Sequence, residues 1–162
     1  MAKQLRLSKG RFALVDDSDF NTLAQFRWHI NGAGYAVGSV RVNGARKRVY
    51  LHRYLLDAQP GQIVDHIDGD PLNNTRANLR LVTRAQNQWN RKAQQNASGY
   101  KGVSWHRGHQ KYYARIQVLS RRHFLGYFET AEEAAEAYDA AARRLHGQHA
   151  RDNSRRCREY SR

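Results

Sequence analysis

Hydrophobic and polar residues alternate most clearly beyond Gly99. Tyr113, Arg115 and Gln117 fall on one side of a two-residue period, and Ala114, Ile116 and Val118 on the other, which predicts a strand with two distinct faces. A further strand over 123–128 leads into Thr130-Ala-Glu-Glu, the spacing of a capping box. The helix that follows carries Ala134, Tyr138, Ala141 and Leu145 at helical spacing and stops at Gly147. Small alanines on that face let the helix lie close against the sheet. Val103, Trp105, Ile116, Leu125 and Tyr138 are the expected core, and the stretch from Arg151 onward reads as a loose basic tail.

The first half has shorter periods. An apolar segment at 11–15 precedes the acidic cluster Asp16, Asp17 and Asp19. Strands over 34–42 and 47–51 flank Asn43-Gly44, a pair suited to the positive φ angles of a type I′ turn. A short apolar helix or turn at 52–56 ends before Pro60-Gly61. Residues 63–67 form a strand, Asp68-Gly69-Asp70-Pro71 turns it, and 79–82 form a second strand. Thr83 then opens a helix with Gln86 at capping-box spacing. The polar stretch 91–98 has no apolar period and reads as a linker.

These patterns give an α+β chain with five parts. A small β-rich region covers 1–48, a strand–strand–helix unit 49–92, a linker 93–98, a unit of strands followed by one helix 99–153, and a basic tail 154–162.

Charge narrows the partners. The 162 residues carry 28 Lys and Arg against 14 Asp and Glu, a net +14. Such a field attracts a polyanion, and nucleic acid is the first candidate because phosphate neutralisation releases condensed counterions. An anionic membrane is second, but no basic amphipathic helix of the interfacial kind is present. Cys157 stands alone, so an internal disulfide and a cysteine-based zinc knuckle are both excluded, which suits a reducing compartment. No secretory signal or membrane-length apolar run is visible, and the expected location is cytoplasmic.

Chemistry concentrates between Val64 and Asn87. Asp65 offers a hard oxygen ligand of the kind Mg²⁺ prefers. His66 titrates near ~6.5 when unperturbed and can take a proton from water at neutral pH. Asn87, in the first turn of the following helix, has an amide oxygen able to complete a metal site. Asn78, just before the second strand, is placed to bond the imidazole and fix its tautomer. A calcium loop is excluded, since the twelfth position counted from Asp65 is Arg76 rather than Glu. The bland alternative is an Asp-His pair that only holds a turn together. His52 reads as a packing or hydrogen-bonding residue, and Trp28, Trp89 and Tyr54 as core or interface.

The run Val64-Asp65-His66-Ile67-Asp68-Gly69-Asp70-Pro71-Leu72-Asn73-Asn74, with Leu51-His52-Arg53 before it and Asn78-Leu79-Arg80-Leu81-Val82-Thr83 and Asn87 after it, resembles the HNH nucleases. The likeness, over roughly 49–90, is to the His-Asn-Asn branch found in phage and intron-encoded homing endonucleases. It implies a ββα-metal fold and hydrolysis of a DNA phosphodiester. Asp65 and Asn87 would be metal ligands, His66 the general base and Asn78 the residue that orients it. One divalent cation is implied, Mg²⁺ or Mn²⁺, since Asn at 87 disfavours zinc.

The segments Tyr100-Lys-Gly-Val-Ser-Trp, Tyr113-Ala-Arg-Ile and Phe124-Leu-Gly-Tyr-Phe-Glu-Thr-Ala-Glu-Glu resemble the ethylene-response-factor, or APETALA-type, DNA-binding domain over about 99–153. That implies a three-stranded antiparallel sheet, backed by one helix, entering the major groove of double-stranded DNA, with Lys101, Ser104, His106, Arg115, Gln117 and Phe124 facing it. Plant members carry Arg at several of these positions and Trp where Phe124 stands, so base preference does not transfer. Arg41, Arg46, Lys47 and Arg48 either extend the DNA track or form a solvated hairpin. The expectation is a monomeric phage-type homing or free-standing endonuclease that nicks one strand. The rivals are a non-catalytic DNA-binding regulator on the same scaffold and a structured-RNA nuclease.

Overall fold

Strand β1 (Ala2–Arg6) pairs antiparallel with β2 (Phe12–Asp16), from Ala2 opposite Asp16 to Arg6 opposite Phe12. The computed structural model describes residues 1–42, 44–91, 96–119 and 121–154. Its contacts divide into two compact units, 1–84 and 85–162.

In the first unit, the acidic cluster that follows β2 starts helix α1 (Asp17–Ala24). Asp17 and Asp19 occupy its first turn, where carboxylates meet the unsatisfied N–H groups and positive end of the helix. Strands β3 (Trp28–Ile30), β4 (Ala36–Val42) and β5 (Ala45–Tyr50) form an antiparallel sheet in that order. Of the expected Asn43-Gly44 turn, Asn43 lies outside the described residues, while Gly44 has φ +78°. Helix α2 (Leu51–Leu55) leads to the hairpin β6 (Ile63–His66) and β7 (Leu79–Val82).

One core runs through all of these elements. Leu5, Val15, Leu23, Trp28, Val40, Leu51, Leu55 and Leu79 are buried together. Trp28 donates its indole N–H to the Leu23 carbonyl at 2.9 Å. Its ring lies flat against Gly38, where a Cβ would meet Trp28 carbons at 2.6–2.9 Å, so only glycine fits.

Helix α3 (Arg84–Trp89) begins at the last residue of the first unit, and its remaining residues belong to the second. Trp89 stacks on His146 with centroids 4.4 Å apart and planes 6° from parallel. The same residue's carbonyl accepts from the Lys101 ammonium at 2.5 Å and the Arg151 amide at 3.3 Å. The first half of the 93–98 linker, residues 93–95, lies outside the described residues, as do 155–162 of the expected tail.

The C-terminal sheet contains β8 (Val103–His106), β9 (Lys111–Val118) and β10 (Arg121–Phe128), with β9 central, backed by α4 (Ala131–His146). The Thr130–Glu133 capping box forms in both directions. Val103, Ala114, Ile116, Ala134, Tyr138 and Ala142 make the core. Gly102 sits at φ +76° directly beneath Tyr138 and the Arg115 carbonyl.

Three expectations are corrected. Trp105 is 45% exposed, lying at the rim of the sheet against Tyr112, rather than in the core. Leu145 is 36% exposed and the helix buries His146 instead, because its inward stripe runs through Tyr138, Ala141 and Ala142. The chain from Arg151 is not loose as far as it is described. Asn153 donates its backbone and side-chain N–H groups to Asp139 Oδ1, at 2.7 and 2.9 Å, and accepts from the Lys101 amide at 2.7 Å.

Candidate nuclease centre and nucleic-acid face

The loop between β6 and β7 is tied from both sides. On one side, β2 runs beside it: the Leu14 amide donates to Leu72 O at 2.8 Å, and the Asn74 amide donates to Leu14 O at 2.7 Å. Arg76 adds a second clamp, with its amide on Asp16 Oδ2 at 2.7 Å and its guanidinium bidentate on Asp19 at 2.8 and 2.9 Å. The acidic cluster after β2 therefore has a structural duty in holding this loop.

Within the loop, Asp68 accepts from the Asp70 amide, the Asn73 side chain and the Asn78 side chain at 2.7–2.9 Å. Burial works against its ionisation, but these three donors outweigh it and hold the carboxyl below its ordinary pKa. Asn78 also accepts from the Asp68 amide at 3.0 Å and donates to Asn73 O at 2.8 Å. Its amide thus closes the loop, which differs from the expected bond to the imidazole.

That bond comes from the neighbouring asparagine. Asn74 is buried and places Oδ1 at 3.3 Å from His66 Nε2, while its Nδ2 donates to Pro71 O. With an oxygen facing it, Nε2 carries the proton and Nδ1 becomes the basic nitrogen. His66 is buried, with the His52 ring 5.1 Å away edge-to-face and the Tyr35 ring at 6.1 Å. Burial lowers its pKa, partly offset by Asn74 and by the charges of Asp68, Asp65 and Asp70. The imidazole is therefore neutral at neutral pH, the state a general base needs. His52 is held at about 4 by burial, then by the nearby His66 and Arg53 charges.

Asp65 stands one residue earlier on β6 and opposite Arg80 on β7. The guanidinium meets Asp65 Oδ2 through both Nε and Nη2, at 2.9 and 2.8 Å, with side-chain exposures of 7% for Asp65 and 16% for Arg80. Asp65 and Asn87 each carry a side-chain oxygen of the hard kind that Mg²⁺ and Mn²⁺ prefer. Asn87 lies in α3, among residues counted with the second unit. Among the described residues, no three or more His, Cys, Asp or Glu side chains are grouped to hold a metal ion.

In the second unit, register puts Ser104 opposite Tyr113, Arg115 opposite Phe124 and Gln117 opposite Arg122, all on the sheet face away from α4. Phe124 is 60% exposed there. His106 joins this face through ring contacts to His109 at 4.7 Å and Tyr127 at 5.4 Å. Lys101, expected in the same set, is turned away onto Trp89 O, and burial next to Arg151 pulls its pKa to about 8.

Sequence reasoning missed Tyr127, because the strand period assigns Phe124 and Tyr127 to opposite faces. The register shift between Phe124 and Gly126 adds one residue and returns Tyr127 to the Phe124 side, 5.0 Å from it. His109, Asn74 and Arg80 were also missed. A fixed β6–β7 register would have revealed Arg80 as the residue opposite Asp65.

Residues 58–89 match a family model described as HNH endonuclease. An uncharacterized HNH endonuclease of Acanthamoeba polyphaga mimivirus is 31% identical over 147 residues, 90% of this chain and 76% of that protein. Protein 3.8 of Escherichia phage T7 is 38% identical over 92 residues, covering 56% of this chain and 75% of the phage protein. An ethylene-responsive transcription factor of Arabidopsis thaliana is 50% identical over 66 residues, 39% of this chain and 25% of the plant protein. The chain belongs to the HNH endonuclease family.

Proposed function

We propose that this chain is a divalent-metal-dependent DNA endonuclease of the His-Asn-Asn branch, homing or free-standing, nicking one strand as a monomer. The observation that carries the reading is His66: buried, and bonded through Nε2 to Asn74 inside the segment that matches the family. In this mechanism Nδ1 of His66 takes a proton from the attacking water. Asn74 fixes the tautomer that leaves Nδ1 basic, and Asn78 with Asp68 keeps the loop from shifting that geometry. Asp65 and Asn87 would supply oxygen donors to a Mg²⁺ or Mn²⁺ ion, which when bound would stabilise charge on the scissile phosphate and leaving oxygen.

The sheet over 103–128 with α4 is read as an APETALA-type DNA reader. Its support is the capped helix, the exposed polar-aromatic face and the plant transcription-factor relatives. A two- or three-stranded sheet fits the major groove of B-form DNA, whereas the narrow major groove of A-form RNA does not admit it. Ser104, His106, Arg115, Gln117 and Phe124 are the contacting set, joined by Tyr113 and Tyr127.

One observation favours the second reading, a non-catalytic DNA-binding regulator. Arg80 already supplies a cation to Asp65, so the carboxylate has a partner without metal. Relaxation of supercoiled plasmid with Mg²⁺ decides between the two. Wild type is expected to nick and His66→Ala to leave plasmid intact. If both leave supercoiled plasmid equally untouched, the enzymatic reading is wrong.

A further inference from the structure

The sheet β3–β4–β5 has one face on the core, and its other face carries three arginines, Arg41, Arg46 and Arg48, at the β4–β5 end. Trp28, Ala36, Gly38 and Val40 point to the core. Of the alternate positions, Val37 is buried while His29, Ser39 and Arg41 are exposed, and register sets Arg46 opposite Arg41 and Arg48 opposite Ser39. Arg27, His29, Ser39, Arg41 and Arg46 line a groove of about 820 Å³ on this side.

Three features make this more than a solvated hairpin. Between residues 20 and 56 there is no Asp or Glu, while Arg27, Arg41, Arg46, Lys47, Arg48 and Arg53 are all basic. Among the described residues, Arg27, Arg41, Arg46 and Arg48 form no ion pair with a carboxylate. Arg41 and Arg46 are direct cross-strand partners, and like charges placed opposite one another destabilise a sheet unless an anion sits between them.

The face also has a direction. Arg46, Arg48 and Tyr50 occupy alternate positions of β5, about 6.6 Å apart at a strand's usual rise. The Tyr50 ring lies 5.5 Å from His52, whose ring is 5.1 Å from His66. Two arginines on β5 thus lead, through the rings of Tyr50 and His52, towards the candidate base.

We infer that this open face binds the phosphate backbone of duplex DNA flanking the cleavage position, with Arg41 and Arg46 as the central phosphate contacts. The inference rests on the reading of the chain as a DNA nuclease, and it adds a backbone-gripping surface separate from the C-terminal sheet. Phosphate contacts set register and carry no base readout, so affinity through this face is independent of sequence.

The test uses the full chain carrying His66→Ala, without divalent ions, binding duplex DNA over a salt series. Each lost phosphate contact lowers the slope of log K against log salt by about 0.9, so Arg41→Ala with Arg46→Ala is expected to reduce it by about 1.8. Arg6→Ala with Arg11→Ala, two exposed cations beside the β1–β2 hairpin, removes equal charge and is expected to change the slope by less than half as much. Arg46→Glu gives a second readout. It creates an opposite-charge pair with Arg41 and is expected to raise the melting temperature while weakening DNA binding, a combination that damage to the fold does not produce.

An unchanged slope in the Arg41/Arg46 variant overturns the inference, whatever that variant does to binding of anionic lipid vesicles. So does an equal loss in the Arg6/Arg11 control. If the chain with Arg41 and Arg46 intact fails to bind duplex DNA at all, the underlying nuclease reading falls with it.

Discussion

His52 ties the stability of the first unit to pH. Its imidazole is 8% exposed, with Tyr35, Tyr50 and His66 around the ring and Arg53 next in sequence, and it is held at about 4 against an ordinary 6.5. The sign follows from proton counting. Between those two values the unfolded chain binds the proton and the folded chain does not, so stability is present above about pH 6.5 and lost as pH falls towards 4. At 1.36 kcal/mol per pH unit, the loss from this residue is about 2 kcal/mol by pH 5 and about 3 kcal/mol by pH 4. Against a usual total of roughly 5–15 kcal/mol, that is a large fraction. Urea denaturation of the full chain at pH 7, 6 and 5, followed by tryptophan fluorescence, measures it. His52→Phe keeps an aromatic ring in the site and removes the titration. It is expected to flatten the acid slope by about 2 kcal/mol at pH 5, leaving the contribution of His66, whose pKa is lowered in the same direction. If the variant and the parent lose stability in parallel, His52 is not buried as a neutral ring and the reasoning is wrong.

Other expectations follow from single contacts. Gly102→Ala would drive a Cβ into the Tyr138 ring at Cδ2 and to 2.7 Å from the Arg115 carbonyl at a left-handed φ. The C-terminal unit should lose about 3 kcal/mol or more, and a melting temperature within a degree of wild type would contradict the packing described. Asn74→Ala removes the partner of His66 Nε2 and should lower kcat by about 10–100-fold with little change in KM, by analogy with other partners that orient a catalytic imidazole. An unaltered kcat, or an imidazole nitrogen NMR signature that keeps the same tautomer, would refute that role. Arg80→Gln leaves the buried Asp65 without its guanidinium and should cost about 3 kcal/mol in metal-free buffer. Added Mg²⁺ should restore more stability to this variant than to wild type, and a metal response no larger than wild type's would argue against Asp65 as a metal ligand.

The local signals in the sequence were strong wherever one short stretch decided the structure. The Thr130–Glu133 box capped its helix as the spacing required, and alternation assigned Tyr113, Arg115 and Gln117 to one face because a strand's period is two. Asp65 and His66 were legible as a candidate pair from chemistry in one unbroken motif. Elements with weak periodicity were not. β1 offers a single buried position, Leu5, and α1 was read only as an acidic cluster, although acids in a first turn are themselves a helix signal.

What the sequence determined alone was the set of chemical groups and the local shapes that carry them. Tertiary structure decided which groups meet. Asn73, Asn74 and Asn78 are the same residue type within six positions, and only the packing of β2 against the loop selects Asn74 for His66 and Asn78 for Asp68. Arg80 meets Asp65 because of cross-strand register, and Tyr127 joins Phe124 because one extra residue shifts a strand's parity. Lys101 leaves the sheet face because a carbonyl of α3 is within reach of its ammonium. Each of these depends on a distance between segments that are remote in sequence or shifted in register, and neither composition nor period encodes such distances.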